Sequence, residues 1–249
     1  MRRMILSDKM AVMLAVLLVL FMAAGHADQE RLDAGGQWKY VLADGGAAIT
    51  DFVEEPTGDL VIPSAVDGYP VTGIGDNAFA DCSSLTSVII PDSVTSIGIQ
   101  AFYDCESLAS VDIPSNMMSI GEEAFYMCKS LTSVIIPDSV IFIGDGVFIA
   151  CFGLASVNIP DRVTSIGNSM FRACDGLTSV TIPDSVTSIG EEAFYWCESL
   201  ASVSIPASVT FIGEEAFAEC EELTLAVTEG SYAEQYAKEN GIPYVFIAE

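Results

Sequence analysis

Thr178 to Leu200 reads TSVTIPDSVTSIGEEAFYWCESL, and close copies of this 23-residue stretch recur along most of the chain. Cysteines stand at 82, 105, 128, 151, 174, 197 and 220, each 23 residues after the last, and every cysteine belongs to that series. Phe79, Phe102, Phe125, Phe148, Phe171, Phe194 and Phe217 keep the same step, three residues ahead of each cysteine. So do Gly75 through Gly213 and Leu85 through Leu223. A fixed period of about 20 to 50 residues means a solenoid, in which each unit buries its apolar face only against its neighbours. The chain therefore predicts an α/β solenoid of about seven 23-residue coils.

Within one unit, Ser179-Val180-Thr181-Ile182 alternates polar and apolar, the period of a half-buried strand. Pro183 has no amide to donate and ends it. Val186 and Ile189 point inward from a second extended piece that closes at Gly190. From Glu191 to Cys197 the pattern becomes that of a short helical turn, with Ala193, Phe194 and Cys197 on one face and two acids in its first turn. Successive strands pair in parallel about 4.8 Å apart, so seven coils measure roughly 34 Å.

The run IPDSVTSIGEEAFYWCESLASV, Ile182 to Val203, with copies from Ile90 to Val227, resembles the BspA-like leucine-rich repeats of bacterial and protist surface proteins. The resemblance covers roughly residues 38 to 249. It implies a leucine-rich-repeat fold and a secreted or surface protein, with adhesion to host matrix proteins or to other cells as the family role.

The ends depart from the period. Gln37 to Val53 reads as a β-hairpin turning at Asp44-Gly45-Gly46, an N-terminal cap within residues 28–58. Residues 59–228 form the solenoid, with a five-residue insertion around Asp67-Gly68-Tyr69-Pro70 that bulges outward as a turn. After Cys220 the register fades, Leu225 standing where Ser recurs. Residues 229–249 read as a C-terminal cap: a helix over Ser231–Asn240 started by Ser231 and Glu234 as a capping box and stopped by Gly241, then a strand over Ile242–Ile247.

Residues 1–27 have the form of a secretory signal peptide: Arg2, Arg3 and Lys9, an apolar run from Met10 to Ala24, and small residues at Gly25 and Ala27. The chain carries 35 acids and nine bases, a formal charge of −26. Without residues 1–27 six bases and 34 acids remain, a charge of −28. Such a surface repels phosphate backbones and anionic headgroups, so nucleic acid and membrane are poor partners. The expected localisation is secreted or cell surface, and the expected state a monomer.

Catalysis finds few candidates. The single histidine, His26, lies at the signal-peptide exit, which leaves no His for acid–base or triad chemistry in the mature chain. Glu122-Glu123, Glu191-Glu192 and Glu214-Glu215 are paired acids, but each pair holds the same repeat position, whereas an active site breaks symmetry. The cysteines admit three readings: packed thiols, disulfides or metal ligands. One cysteine per coil, an odd total and an expected ladder spacing beyond disulfide reach favour packed thiols between Phe and Leu. No cofactor or metal site is expected.

The outward residues of the strand make the candidate protein-binding surface. One column is Ser87, Ser110, Ser133, Ser156, Ser179 and Ser202; the next is Ile89, Asp112, Ile135, Asn158, Thr181 and Ser204. The first is uniform, which tight lateral spacing explains. The second varies, and Ile89 and Ile135 are apolar where water favours polar groups. Tyr103, Tyr126, Tyr195 and Trp196 on the turns form the second candidate surface. Two functions stay open: binding an extracellular or host-cell protein through the strand face, or a structural spacer and assembly element with no dedicated ligand.

Overall fold

The computed structural model describes residues 29–43 and 45–247, and the segment read as a signal peptide lies outside them. Among the described residues no helix is long and apolar enough to cross a membrane. Two stacks of short strands and one stack of turns wind around a single core. The first strand face carries Gly58–Val61, Leu85–Ile89, Ser110–Asp112, Ser133–Val134, Ser156–Val157, Ser179–Thr181, Ser202–Ile205, Thr224–Val227 and Tyr244–Phe246. That is nine rungs where seven coils were expected, because the chain beyond Cys220 adds two more. The second face carries Gly46–Phe52, Tyr69–Ile74, Ser96–Ile97, Ser119–Ile120, Phe142–Ile143, Ser165–Ile166, Ser188–Ile189 and Phe211–Ile212.

Pairing along both faces is parallel and in register: Ser96 lies beside Ser119, Ser133 beside Ser156, and Ser179 beside Ser202. The pairing register shifts between Ala47 and Ala48 and between Gly58 and Asp59, and the 23-residue period slips after Cys220. Thr224, not Leu225, takes the place of the recurring Ser, and Leu225 pairs with Val203. One residue is missing there, and a one-residue shift turns a side chain to the opposite face. Leu225 is accordingly fully buried rather than a polar position gone astray.

The core is a set of stacked columns. The Phe79 to Phe217 rings lie nearly parallel, their centroids 5.2 to 5.8 Å apart. Each buried ring or aliphatic side chain contributes about 1.5–3 kcal/mol. Trp38 and Phe52 close the Phe column at one end and Tyr236 at the other. The glycine column records how tightly the coils approach. A Cβ on Gly121 or Gly144 would lie 2.6 or 2.5 Å from backbone atoms of the preceding coil.

The segment expected to be a helical turn is not helical. Two residues per coil adopt left-handed backbone, for example Gln100 (φ 54°) and Asp104 (φ 55°), or Glu192 (φ 53°) and Trp196 (φ 59°). This breaks any i→i−4 ladder and turns alternate N–H groups toward the next coil. Gln100, Phe102 and Asp104 donate to the carbonyls of Glu122, Ala124 and Tyr126 at 2.8, 2.9 and 2.8 Å. Equivalent triplets recur between coils up to Trp196. Left-handed backbone costs an L-residue roughly 1–2 kcal/mol, and three hydrogen bonds of about 1 kcal/mol each offset it. Acids at Glu191 and Glu192 therefore meet no helix dipole.

The caps are close to expectation. The N-terminal hairpin pairs Trp38–Ala43 with Gly46–Phe52, and the short strand Arg31–Leu32 adds to its outer edge. The insertion is a small hairpin of its own, Ala65–Val66 against Tyr69–Ile74, turning at Asp67 and Gly68. Asp67 ties it to the cap by accepting from the Tyr40 hydroxyl (2.9 Å) and the Ala34 N–H (2.8 Å). At the other end the helix Tyr232–Asn240 starts on Ser231, whose Oγ accepts from the Glu234 N–H, and stops at left-handed Gly241. Glu234 reaches back to the Gly230 N–H rather than that of Ser231, so the capping box is offset by one residue.

Each cysteine from Cys105 to Cys220 donates its thiol proton to the Phe carbonyl of the coil before, at 3.0 to 3.3 Å. The sulfurs are thus a third bonded ladder and all seven are free thiols. Burial pushes the Cys82 thiol up to about 12 and raises those of Cys105, Cys128, Cys151 and Cys174 as well. In the last pair Cys197 is raised and half-exposed Cys220 lowered, since the Cys197 thiol can turn to donate to a Cys220 thiolate. An unfolded thiol titrates near 8.5. Above that pH the unfolded chain sheds protons that the folded chain keeps, so stability is full below about pH 8.5 and falls as pH rises toward 12. The loss is about 1.4 kcal/mol per pH unit for each buried thiol. We expect urea midpoints that are level from pH 6 to 8 and drop steeply above about pH 9; a level profile to about pH 11 would contradict buried thiols.

Candidate functional site

The first strand face holds the predicted columns side by side. Ile89 pairs with Asp112, Ser133 with Ser156, and Thr181 with Ser204, and the column extends to Val61 at one end and Val245 at the other. Ser110, Ser133, Ser156, Ser179 and Ser202 are exposed, as are Asp112 and Thr181, while Ser204 is half-buried. Ile135 is 78% exposed and Ile89 49%, far beyond any need of the core beneath. Asp112 sits in the column between them. The Pro-Asp corners border this face with Asp92, Asp138, Asp161 and Asp184, of which all four are exposed.

At the upper end of the face Asp59 accepts from Ser87 Oγ (2.6 Å) and Thr86 Oγ1 (3.2 Å), and these bonds, Ser87 foremost, hold its carboxyl below the usual range. The face is not one continuous ladder. Its hydrogen bonds form three groups, with breaks between Ser110–Asp112 and Ser133–Val134 and between Ser156–Val157 and Ser179–Thr181.

Asn158 extends the middle group, in which Ser133–Val134 pairs with Ser156–Val157. Its Oδ1 accepts from the Ile136 N–H at 2.8 Å and its Nδ2 donates to the Ile136 carbonyl at 2.7 Å. One amide side chain thus satisfies both backbone groups of Ile136, as a neighbouring strand would. The polar groups of Asn158 are therefore engaged by the fold itself, while the residue stays exposed on the face where the sequence reading placed it.

The turn surface is also partly committed to internal contacts. Tyr103 and Tyr126 stack on one another at 4.6 Å. Arg172 lies 5.0 Å over the Tyr195 ring while pairing with Glu192. Trp196 remains exposed beside Tyr195. No three His, Cys, Asp or Glu side chains among the described residues converge as metal ligands. The acid pairs remain repeat positions: Glu122, Glu191, Glu214 and Glu215 are exposed, and Glu123 and Glu192 bond Gln100 and Arg172.

Sequence reading missed the exposed apolar residues of the second face: Met118, Phe142 and Phe211. Their signal was available. Ser holds that column at 96, 119, 165 and 188, and Phe interrupts it twice.

Parallel rungs, stacked Phe rings and a strand face free for contact define a leucine-rich-repeat solenoid. The chain belongs to the BspA type leucine-rich-repeat family, whose model matches residues 72–187 and 164–236 in six copies. A leucine rich cell surface protein from Faecalibacterium prausnitzii A2-165 is 41% identical with a TM-score of 0.74, over 81% of this chain and 56% of that one. The present chain thus spans little more than half the length of that relative. A T. pallidum leucine-rich-repeat protein, TpLRR, is 29% identical with a TM-score of 0.69, over 89% of this chain and 97% of its own. The pneumococcal vaccine antigen PcpA, 19% identical with a TM-score of 0.54 over 87% of this chain and 49% of that one, shares the fold. No curated protein matches the chain.

Replacing Asn158 with Ala should cost about 1–3 kcal/mol, since two backbone groups of Ile136 lose their partner. Urea unfolding measures this directly. An unchanged midpoint would contradict a stabilising role for the Asn158 bonds to Ile136.

Proposed function

We propose that the chain is a secreted or surface-held binding protein that recognises another protein through its first strand face, in adhesion to a host or neighbouring cell. The observation that carries this reading is Ile135, 78% exposed at the centre of a solvent-facing column. An apolar side chain so placed is left over from packing and is available as an anchor. Asp112 beside it and the Asp92, Asp138, Asp161 and Asp184 border give the surface negative charge, which steers a basic partner toward it. One relative, described as a leucine rich cell surface protein, supports the location. We read the protein as a binder and not an enzyme, because its paired acids recur at one position of successive coils, whereas an active site breaks that symmetry.

Immobilised extracellular-matrix and cell-surface proteins, screened for retention of the purified chain, test the proposal. Retention should weaken at high salt and fall at least tenfold when Ile135, Asp112 and Thr181 are all changed to Lys with Asn158 left intact. Retention unaffected by these changes would remove the face from the account, and no retention at all would remove the binding function.

A further inference from the structure

The stack of turns ends on open backbone donors. From Asn77 to Trp196, three alternate amides of each coil donate to carbonyls of the next. The last set runs from Glu192 to Glu214, from Phe194 to Ala216 and from Trp196 to Ala218. The amides that continue the series are those of Glu215, Phe217 and Glu219. Glu215 (φ 54°) and Glu219 (φ 61°) keep the left-handed backbone that aims such amides along the stack, but no further coil follows. Among the described residues neither of these two amides donates a hydrogen bond. The middle one, Phe217, faces the Tyr236 hydroxyl of the cap helix.

A cleft of about 690 Å³ lies against these amides, between the last turn and the end of the cap helix. Phe217, Tyr236 and Ile242 give it apolar wall. Glu214, Glu215, Glu219, Glu221 and Glu239 also line it, and among the described residues no basic side chain does. Outward amides by themselves suit an anion or a carbonyl. Five carboxylates repel the anion. Nor do the acids gather round one point: no three of them converge as metal ligands. Donors and acids together select a neutral acceptor carried on a positively charged chain. A peptide backbone bearing Lys or Arg has that chemistry.

We infer that this cleft receives a short basic peptide segment, which adds to the stack of turns as its next rung. Two carbonyls of the segment, four residues apart, accept from the Glu215 and Glu219 amides. The Glu214 and Ala218 carbonyls do the same for the coil before. The stems of its basic side chains lie along the apolar wall and bring their charges to the glutamates. The site is at the end of the solenoid and shares no residue with the first strand face.

An amide-resolved NMR titration with the peptide acetyl-Lys-Ala-Lys-Ala-Lys-amide tests this. Binding should saturate, shift the Glu215 and Glu219 amides, and slow their exchange with solvent. Glu219→Gln with Glu221→Gln should weaken it about tenfold, because both exposed acids lie at the cleft. Glu54→Gln with Glu55→Gln, which removes as much charge at the opposite end, should leave it within about twofold. Spermidine carries the same charge as the peptide but no carbonyl, and should bind about tenfold more weakly. No saturable binding at millimolar peptide would overturn the inference. So would shifts that miss the two amides, equal binding of spermidine, or equal losses in the two charge variants.

Discussion

Each coil must lie directly over the one before it, residue for residue, and nearly every other property of this protein follows from that. Parallel rungs fix the spacing on two sides. The turns could follow it only by leaving helical geometry. Two left-handed residues per coil turn alternate amides toward the next coil, so the third side is also tied by backbone hydrogen bonds. With the turns bonded coil to coil and the strand faces paired over most of their length, Phe stacks on Phe, each thiol meets the preceding Phe carbonyl, and glycine is the one residue that fits where backbones nearly touch. The repeat sequence is the imprint of that single spacing.

The same constraint separates what was legible in the sequence from what was not. Period, inward columns and caps could be read because they are dictated by packing, which acts on residue type. The turn was misread because Ala193, Phe194 and Cys197 share an inward side in a helix and in an alternating left-handed turn alike. Side-chain pattern reports burial and not the direction of the amides. Leu225 was misplaced for a related reason: a missing residue between strands leaves composition almost unchanged yet reverses which face each side chain takes. Asn158 looked like a contact residue because its column is exposed, and only the coordinates reveal its bonds to Ile136.

Function enters where side chains escape the stacking rule. Ser, Thr and Asp at outward positions are compatible with any solenoid. Ile135 on one face and Phe142 and Phe211 on the other are not demanded by the coils beneath them, and they lie on different sides of the molecule.

Amide hydrogen exchange measured residue by residue tests the central claim most directly. If inter-coil bonds in the turns hold the stack together, the amides of Phe102, Phe125, Phe148 and Phe171 exchange only by global unfolding, with one common free energy. Amides of the exposed corner, such as Ser115 and Asn116, exchange orders of magnitude faster. Phe amides that exchange as quickly as those corner residues, or coil by coil with widely different free energies, would contradict the account.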